Sequence, residues 1–115
     1  MNILNVEKCE HSGTSFIGNY KVDYDKLVDT FGERNFAQWY EDGIQTDSKS
    51  FVTWILEFET DDINHPLITV TIYDWKETNW KDVCNGEYDW HIGGYDDGLA
   101  VDVLAQYLEG GTIDV

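Results

Sequence analysis

Three residues along this chain could do acid–base chemistry. Asp74 interrupts an apolar strand end, Thr71-Ile72-Tyr73-Asp74-Trp75-Lys76, and Asp89 and His91 flank Trp90 in Asp89-Trp90-His91-Ile92. If those strands are neighbours, two carboxylates and an imidazole could converge as a proton-transfer dyad or a metal site. The period-two spacing argues against it. Asp89 and His91 fall opposite Tyr88, Trp90 and Ile92, on the solvent side of a half-buried strand. The chain therefore reads as non-enzymatic, with no catalytic residue.

The neighbours of the other motifs disfavour chemistry in the same way. Gly93-Gly94, between a strand and a helix, is placed like a phosphate-binding loop, but Tyr95-Asp96-Asp97 follows and would repel a phosphate. A turn needing positive φ is the expected reason for the two glycines. The acid clusters Glu57/Glu59/Asp61/Asp62 and Asp96/Asp97 lack the ligand spacing of a calcium-binding EF-hand loop. Cys9 and Cys84 have no C-x-x-C motif or His/Cys cluster beside them, so reduced core thiols are expected rather than a bridge or a zinc site. No metal and no cofactor is expected.

The strongest signal is charge. The 115 residues carry 23 Asp+Glu against 7 Lys+Arg, a formal charge of −16. A surface this negative repels phosphate backbones and anionic membrane leaflets, which argues against nucleic acid or a membrane as a direct partner. No apolar run approaches the ~20 residues of a membrane-spanning helix. Met1 to His11 lacks a basic region followed by an apolar stretch, so a cytoplasmic location is expected. All seven basic residues lie at or before Lys81, whereas eight acids follow it. With 42% hydrophobic residues, five of them Trp, the chain is nevertheless rich enough in apolar side chains to fold. One compact domain over residues 1–115 is expected.

The elements that must position these groups follow from periodicity and end signals. Phe51 to Glu59 alternates as a strand, with Val52, Trp54, Leu56 and Phe58 on the buried face. Turn formers from Thr60 to Pro66 lead to a second strand, Leu67 to Trp75, antiparallel to the first. Tyr88 to Ile92 reads as a third strand and Phe16 to Val22 as a fourth, while Phe36 to Tyr40 fits either strand or loop. Asp23 can cap a helix running to Phe31, with apolar stripe Leu27, Val28 and Phe31 and a stop at Gly32. A second helix is expected from about Gly98 to Glu109, burying Leu99, Val103, Leu104, Tyr107 and Leu108. The class is α+β: an antiparallel sheet of about four strands with two helices packed on one face.

The combination Phe31-Gly32, Thr71-Ile72-Tyr73-Asp74-Trp75-Lys76 and Trp90-His91-Ile92-Gly93-Gly94 resembles a group of small phage-encoded proteins. Their pattern is a Phe-Gly turn, a TIYDWK-like strand and a WHIGG-like strand end. The resemblance runs from about Val22 to Leu108 and departs in lacking a proline soon after Phe31-Gly32. It implies a shared fold, a phage-like origin and a host-cell cytoplasmic location. It implies no catalytic residue. It also favours inhibition of a host-defence enzyme, in the manner of an anti-CRISPR or anti-restriction protein.

Charge and resemblance together lead to one functional expectation. The chain would be an acidic nucleic-acid mimic that binds the basic groove of a nucleic-acid-handling host enzyme and blocks DNA or RNA access. The expected contact residues are Glu57, Glu59, Asp61 and Asp62 on the hairpin, with Asp89, Asp96 and Asp97 towards its far end. Trp80 or Tyr95 would supply an apolar anchor. The alternatives are an immunity-type interaction module neutralising a basic toxin or other partner, a binder of a small nucleotide signal, and a small enzyme built on Asp74, Asp89 and His91.

Overall fold

The computed structural model describes residues 2–9, 14–32, 36–37, 52–74, 83, 86–95 and 99–109. Their order is β1 (Ile3–Lys8), β2 (Ser15–Asp23), α1 (Tyr24–Phe31), β3 (Phe36–Ala37), β4 (Val52–Thr60), β5 (Leu67–Tyr73), β6 (Glu87–Gly94) and α2 (Leu99–Leu108). Five strands form one antiparallel sheet in the order β1-β4-β5-β6-β2, and the two-residue β3 also pairs with β4. The α+β class holds, but the sheet has five principal strands rather than about four. The additional one is β1, which lies along the Leu56–Thr60 half of β4.

The core forms where the alternating apolar residues of β4, β5 and β6 share one side. Trp54 pairs with Ile72, Leu56 with Val70 and Phe58 with Ile68, while Ile72 also pairs with Ile92. All are buried, as are Leu27 of α1 and Ala100, Val103, Leu104 and Leu108 of α2. Full burial of a large apolar side chain stabilises by about 1.5–3 kcal/mol, so this layer dominates the energetics. Tyr107 departs from the expected helix stripe. It is 38% exposed, yet it stacks on Phe31 at 5.6 Å and meets the edge of Phe58 at 5.6 Å.

Helix α1 is held at both ends by tryptophans of the sheet. The Trp90 indole N–H donates to the carbonyl of Val22, just before the helix, at 2.9 Å. The Trp54 indole N–H donates to the carbonyl of Gly32, just after it, at 3.1 Å. Gly32 ends the helix with φ 78°, a conformation that favours glycine, and its N–H closes on the Val28 carbonyl. Asp23 occupies the N-cap position, but its side chain makes no cap hydrogen bond. Its contribution there is its charge near the helix N-terminus.

Gly93 and Gly94 correct the turn expected there. Both lie inside β6, and neither has a positive φ. They are small because the chain is approached closely from both sides. A Cβ on Gly94 would meet the Ala100 Cβ of α2 and the Ile17 Cδ1, each at 2.8 Å. A Cβ on Gly93 would meet the Thr14 Oγ1 at 2.8 Å on the other side of the sheet.

Candidate functional site

Both helices pack on the face carrying Trp54, Leu56 and Phe58, and no described helix covers the opposite face. Strand register fixes the rows of that second face. Asn5, Glu59 and Leu67 lie across one end, followed by Glu7, Glu57 and Thr69. The next row is Ile55, Thr71, Gly93 and Phe16, and the one after it is Thr53, Tyr73, His91 and Asn19. Asp89 with Lys21, then Glu87 with Asp23, complete the far end.

The middle of this face is tied down locally. Thr14 crosses above Gly93 and shares a 2.7 Å hydroxyl–hydroxyl hydrogen bond with Thr71. Ile55 and Thr71 are buried there. Beside them His91 sits between two rings, with Phe16 at 4.8 Å and Tyr73 at 5.7 Å between centroids. Phe16 is 53% exposed on this face. A bulge between Phe16 and Gly18 turns Phe16 away from the core face, which Gly18 and Tyr20 occupy beside Ile92 and Trp90.

Carboxylates dominate the first two rows. Glu7 lies directly across from Glu57, a like-charge pair that costs stability unless a cation or solvent relieves it. Asn5 Nδ2 donates to the Glu7 carboxylate at 3.1 Å. Cys9, the next residue on this side of β1, is half-buried at the sheet edge rather than in the core. Its thiol pKa is raised, first by desolvation and then by the Glu57 charge. Cys84 lies outside the described residues.

The expected contact acids separate into distinct environments. Glu57 and Glu59 belong to the helix-free face. Asp61 fastens the start of β1 to the β4–β5 turn. Its carboxylate accepts from the Asn2 backbone N–H at 2.7 Å and from Asn2 Nδ2 at 2.9 Å. Those bonds, led by the backbone one, hold its pKa below the ordinary carboxylate range. Asp62 shapes the turn itself, accepting from the Asn64 N–H at 2.8 Å and lying 3.6 Å from His65 Nδ1. Its pKa is also lowered, first by the Asn64 bond. Asp89 is exposed on the helix-free face but six residues along the sheet from Glu57, about 20 Å at ~3.3 Å per residue. Tyr95 is exposed just beyond β6. Trp80, Asp96 and Asp97 lie outside the described residues.

The acid–base trio is not assembled. Asp74 is fully buried one residue past Tyr73, and alternation sends it to the side opposite Tyr73, the direct partner of His91. Asp89 is exposed on the His91 side. Among the described residues no three His, Cys, Asp or Glu side chains come together as a metal site, and no helix is long and apolar enough to cross a membrane. On the helix side, Val6, Lys8, Thr30, Phe31 and Tyr107 line a cleft of about 100 Å³. Sites for small molecules are typically about 300–1,000 Å³, so this cleft is too small to enclose a nucleotide.

Comparison with protein-family models, curated proteins and solved structures finds no match for this chain.

Sequence reasoning missed β1, and with it Asn5 and Glu7. The register of β1 shifts between Ile3 and Asn5, leaving Leu4 as an extra, exposed residue. Ile3, Leu4 and Val6 therefore lack the alternation that marks a strand. Phe16 is hidden in the same way, since its spacing from Gly18, Tyr20 and Val22 assigns it to the core until the bulge is known.

Proposed function

We propose that this protein is a non-enzymatic inhibitor that binds the basic nucleic-acid groove of a partner enzyme and excludes DNA or RNA from it. The observation that carries this reading is a formal charge of −16 on a folded domain whose helix-free face ends in carboxylates. Duplex DNA carries one charge per ~1.7 Å of axis, so a groove built for it presents many Lys and Arg side chains. A rigid carboxylate surface meets that groove with favourable long-range attraction and fast association.

The resemblance to small phage-encoded proteins supports a narrower partner class: host-defence enzymes that handle nucleic acid, such as RNA-guided effectors and restriction nucleases. The host-cell cytoplasm is the corresponding compartment. Among the hairpin acids, Glu57 and Glu59 are the better candidates for contact, because Asp61 and Asp62 are engaged in the turn.

The test is competition. The purified chain is titrated into complexes of labelled duplex DNA with a panel of RNA-guided effectors and restriction nucleases, at low and high salt. Displacement of the duplex from at least one enzyme, weakening as salt rises, is the expected result. Binding to an enzyme without loss of its nucleic acid, or displacement indifferent to salt, would remove the mimicry reading.

A further inference from the structure

We infer that the partner docks across the helix-free face in a bipartite mode, engaging two acidic ends and an aromatic cluster of Tyr73, His91 and Phe16 that runs from β5 to the edge strand β2. This rests on the inhibitor reading above and specifies the partner's surface. Glu7, Glu57 and Glu59 form one end; Asp89, Glu87 and Asp23, against the single Lys21, form the other, which begins about 20 Å along the sheet, from six residues at ~3.3 Å each. At an intermediate level along the strands, on the edge strand β2, Phe16 is 53% exposed against His91, which also contacts Tyr73.

An exposed aromatic cluster with charge to either end is the arrangement of a protein-binding surface, in which the aromatic group holds the energetic anchor and the charges set orientation and association rate. The sign of those charges selects the occupant. It is a protein surface bearing two Arg or Lys clusters about 20 Å apart, with an apolar or guanidinium group between them to lie against Phe16. A second copy of this chain is disfavoured, because it would bring the same carboxylates together. The adjacent Lys21–Asp89 pair partly neutralises the far end, so Glu7, Glu57 and Glu59 form the stronger electrostatic pole.

Two synthetic helical peptides of identical composition serve as probes. In the first, two Arg pairs stand about 13 residues apart, which at ~1.5 Å per residue spans about 20 Å, with one Trp between them. In the second, the four Arg are contiguous. Binding to the isotope-labelled full-length chain is followed by NMR titration. The first peptide is expected to bind about fivefold tighter, the yield of one aromatic–aromatic contact between its Trp and Phe16, with shifts centred on Phe16, His91 and Glu57. Phe16→Ala should abolish that preference. Asp102→Lys, on the exposed side of α2, should leave it intact while changing net charge as much as Glu57→Lys does.

Equal affinity for the two peptides, no binding of either, or unchanged selectivity in Phe16→Ala overturns the bipartite mode. So does an Asp102→Lys loss as large as that of Glu57→Lys, which would signify unspecific attraction. These outcomes are separate from the competition assay. A chain that displaces duplex DNA regardless of Phe16 keeps its inhibitory function and loses only this docking mode. Selective peptide binding without displacement keeps the docking face and removes the nucleic-acid-handling partner.

Discussion

Gly94→Ala tests the packing that places α2 on the sheet. The added Cβ would lie 2.8 Å from the Ala100 Cβ and 2.8 Å from the Ile17 Cδ1. Ile17 Cδ1 is the far end of a flexible side chain and can rotate. Ala100 Cβ is fixed to the helix backbone, so relief there requires the helix to move. Overpacking of this kind costs about 1–3 kcal/mol, less the ~0.4–1 kcal/mol gained when alanine replaces glycine in the unfolded chain. A net loss of about 1–2 kcal/mol is expected in urea unfolding. Ala100→Gly alone should cost about 1 kcal/mol through lost helix propensity and contact. Together, Ala100→Gly vacates the space that the new Cβ at position 94 fills. The double variant should therefore be less destabilised than the sum of the singles by about 1 kcal/mol. Additivity within ~0.5 kcal/mol, or a neutral Gly94→Ala, would refute the close approach as the reason for this glycine.

Three further perturbations probe other parts of the structure. Trp90→Phe removes the indole donor to Val22 and some core volume; a loss of about 2–4 kcal/mol is expected, with α1 amides exchanging faster, and unchanged α1 exchange would count against the tryptophan clamp. Asp61 has a folded-state pKa below its unfolded value, so its stabilising effect is fully present above the unfolded pKa and is lost as pH falls through the folded one. Titration by carbon-detected NMR should place its carboxyl below that of an unstructured Asp, and Asp61→Asn should remove the acid-induced loosening of β1. Glu57→Gln should lower the Cys9 thiol pKa part of the way to normal, since burial remains as the larger cause, and iodoacetamide should then alkylate it faster near pH 8.

Much of the fold is legible in the sequence because its strands alternate cleanly. Trp54, Leu56 and Phe58 mark the buried side of β4, and Leu27 with Gly32 marks the face and end of α1. Gly93-Gly94 misleads because a glycine selected for close approach looks the same in sequence as one selected for positive φ. Only the positions of Thr14 and Ala100 distinguish the two. The hairpin acids are legible as a cluster but not as separate roles. The engagement of Asp61 by Asn2 joins residues 59 positions apart, which periodicity cannot reveal. The bulges at Leu4 and between Phe16 and Gly18 hide the second face, since one added residue reverses every inward and outward assignment beyond it.

Charge reversals on the two sides of the molecule separate a carboxylate docking face from general acidity. Glu57→Lys/Glu59→Lys alters the helix-free face, and Asp29→Lys/Asp102→Lys makes the same net change on exposed helix positions. Each variant is titrated against duplex DNA bound to an enzyme that the unaltered chain inhibits, at matched salt. At least about a tenfold loss of potency is expected for the sheet variant, the equivalent of ~1.4 kcal/mol, and less than about threefold for the helix variant. Equal losses for the two variants, or full potency in Glu57→Lys/Glu59→Lys, would contradict a carboxylate docking face.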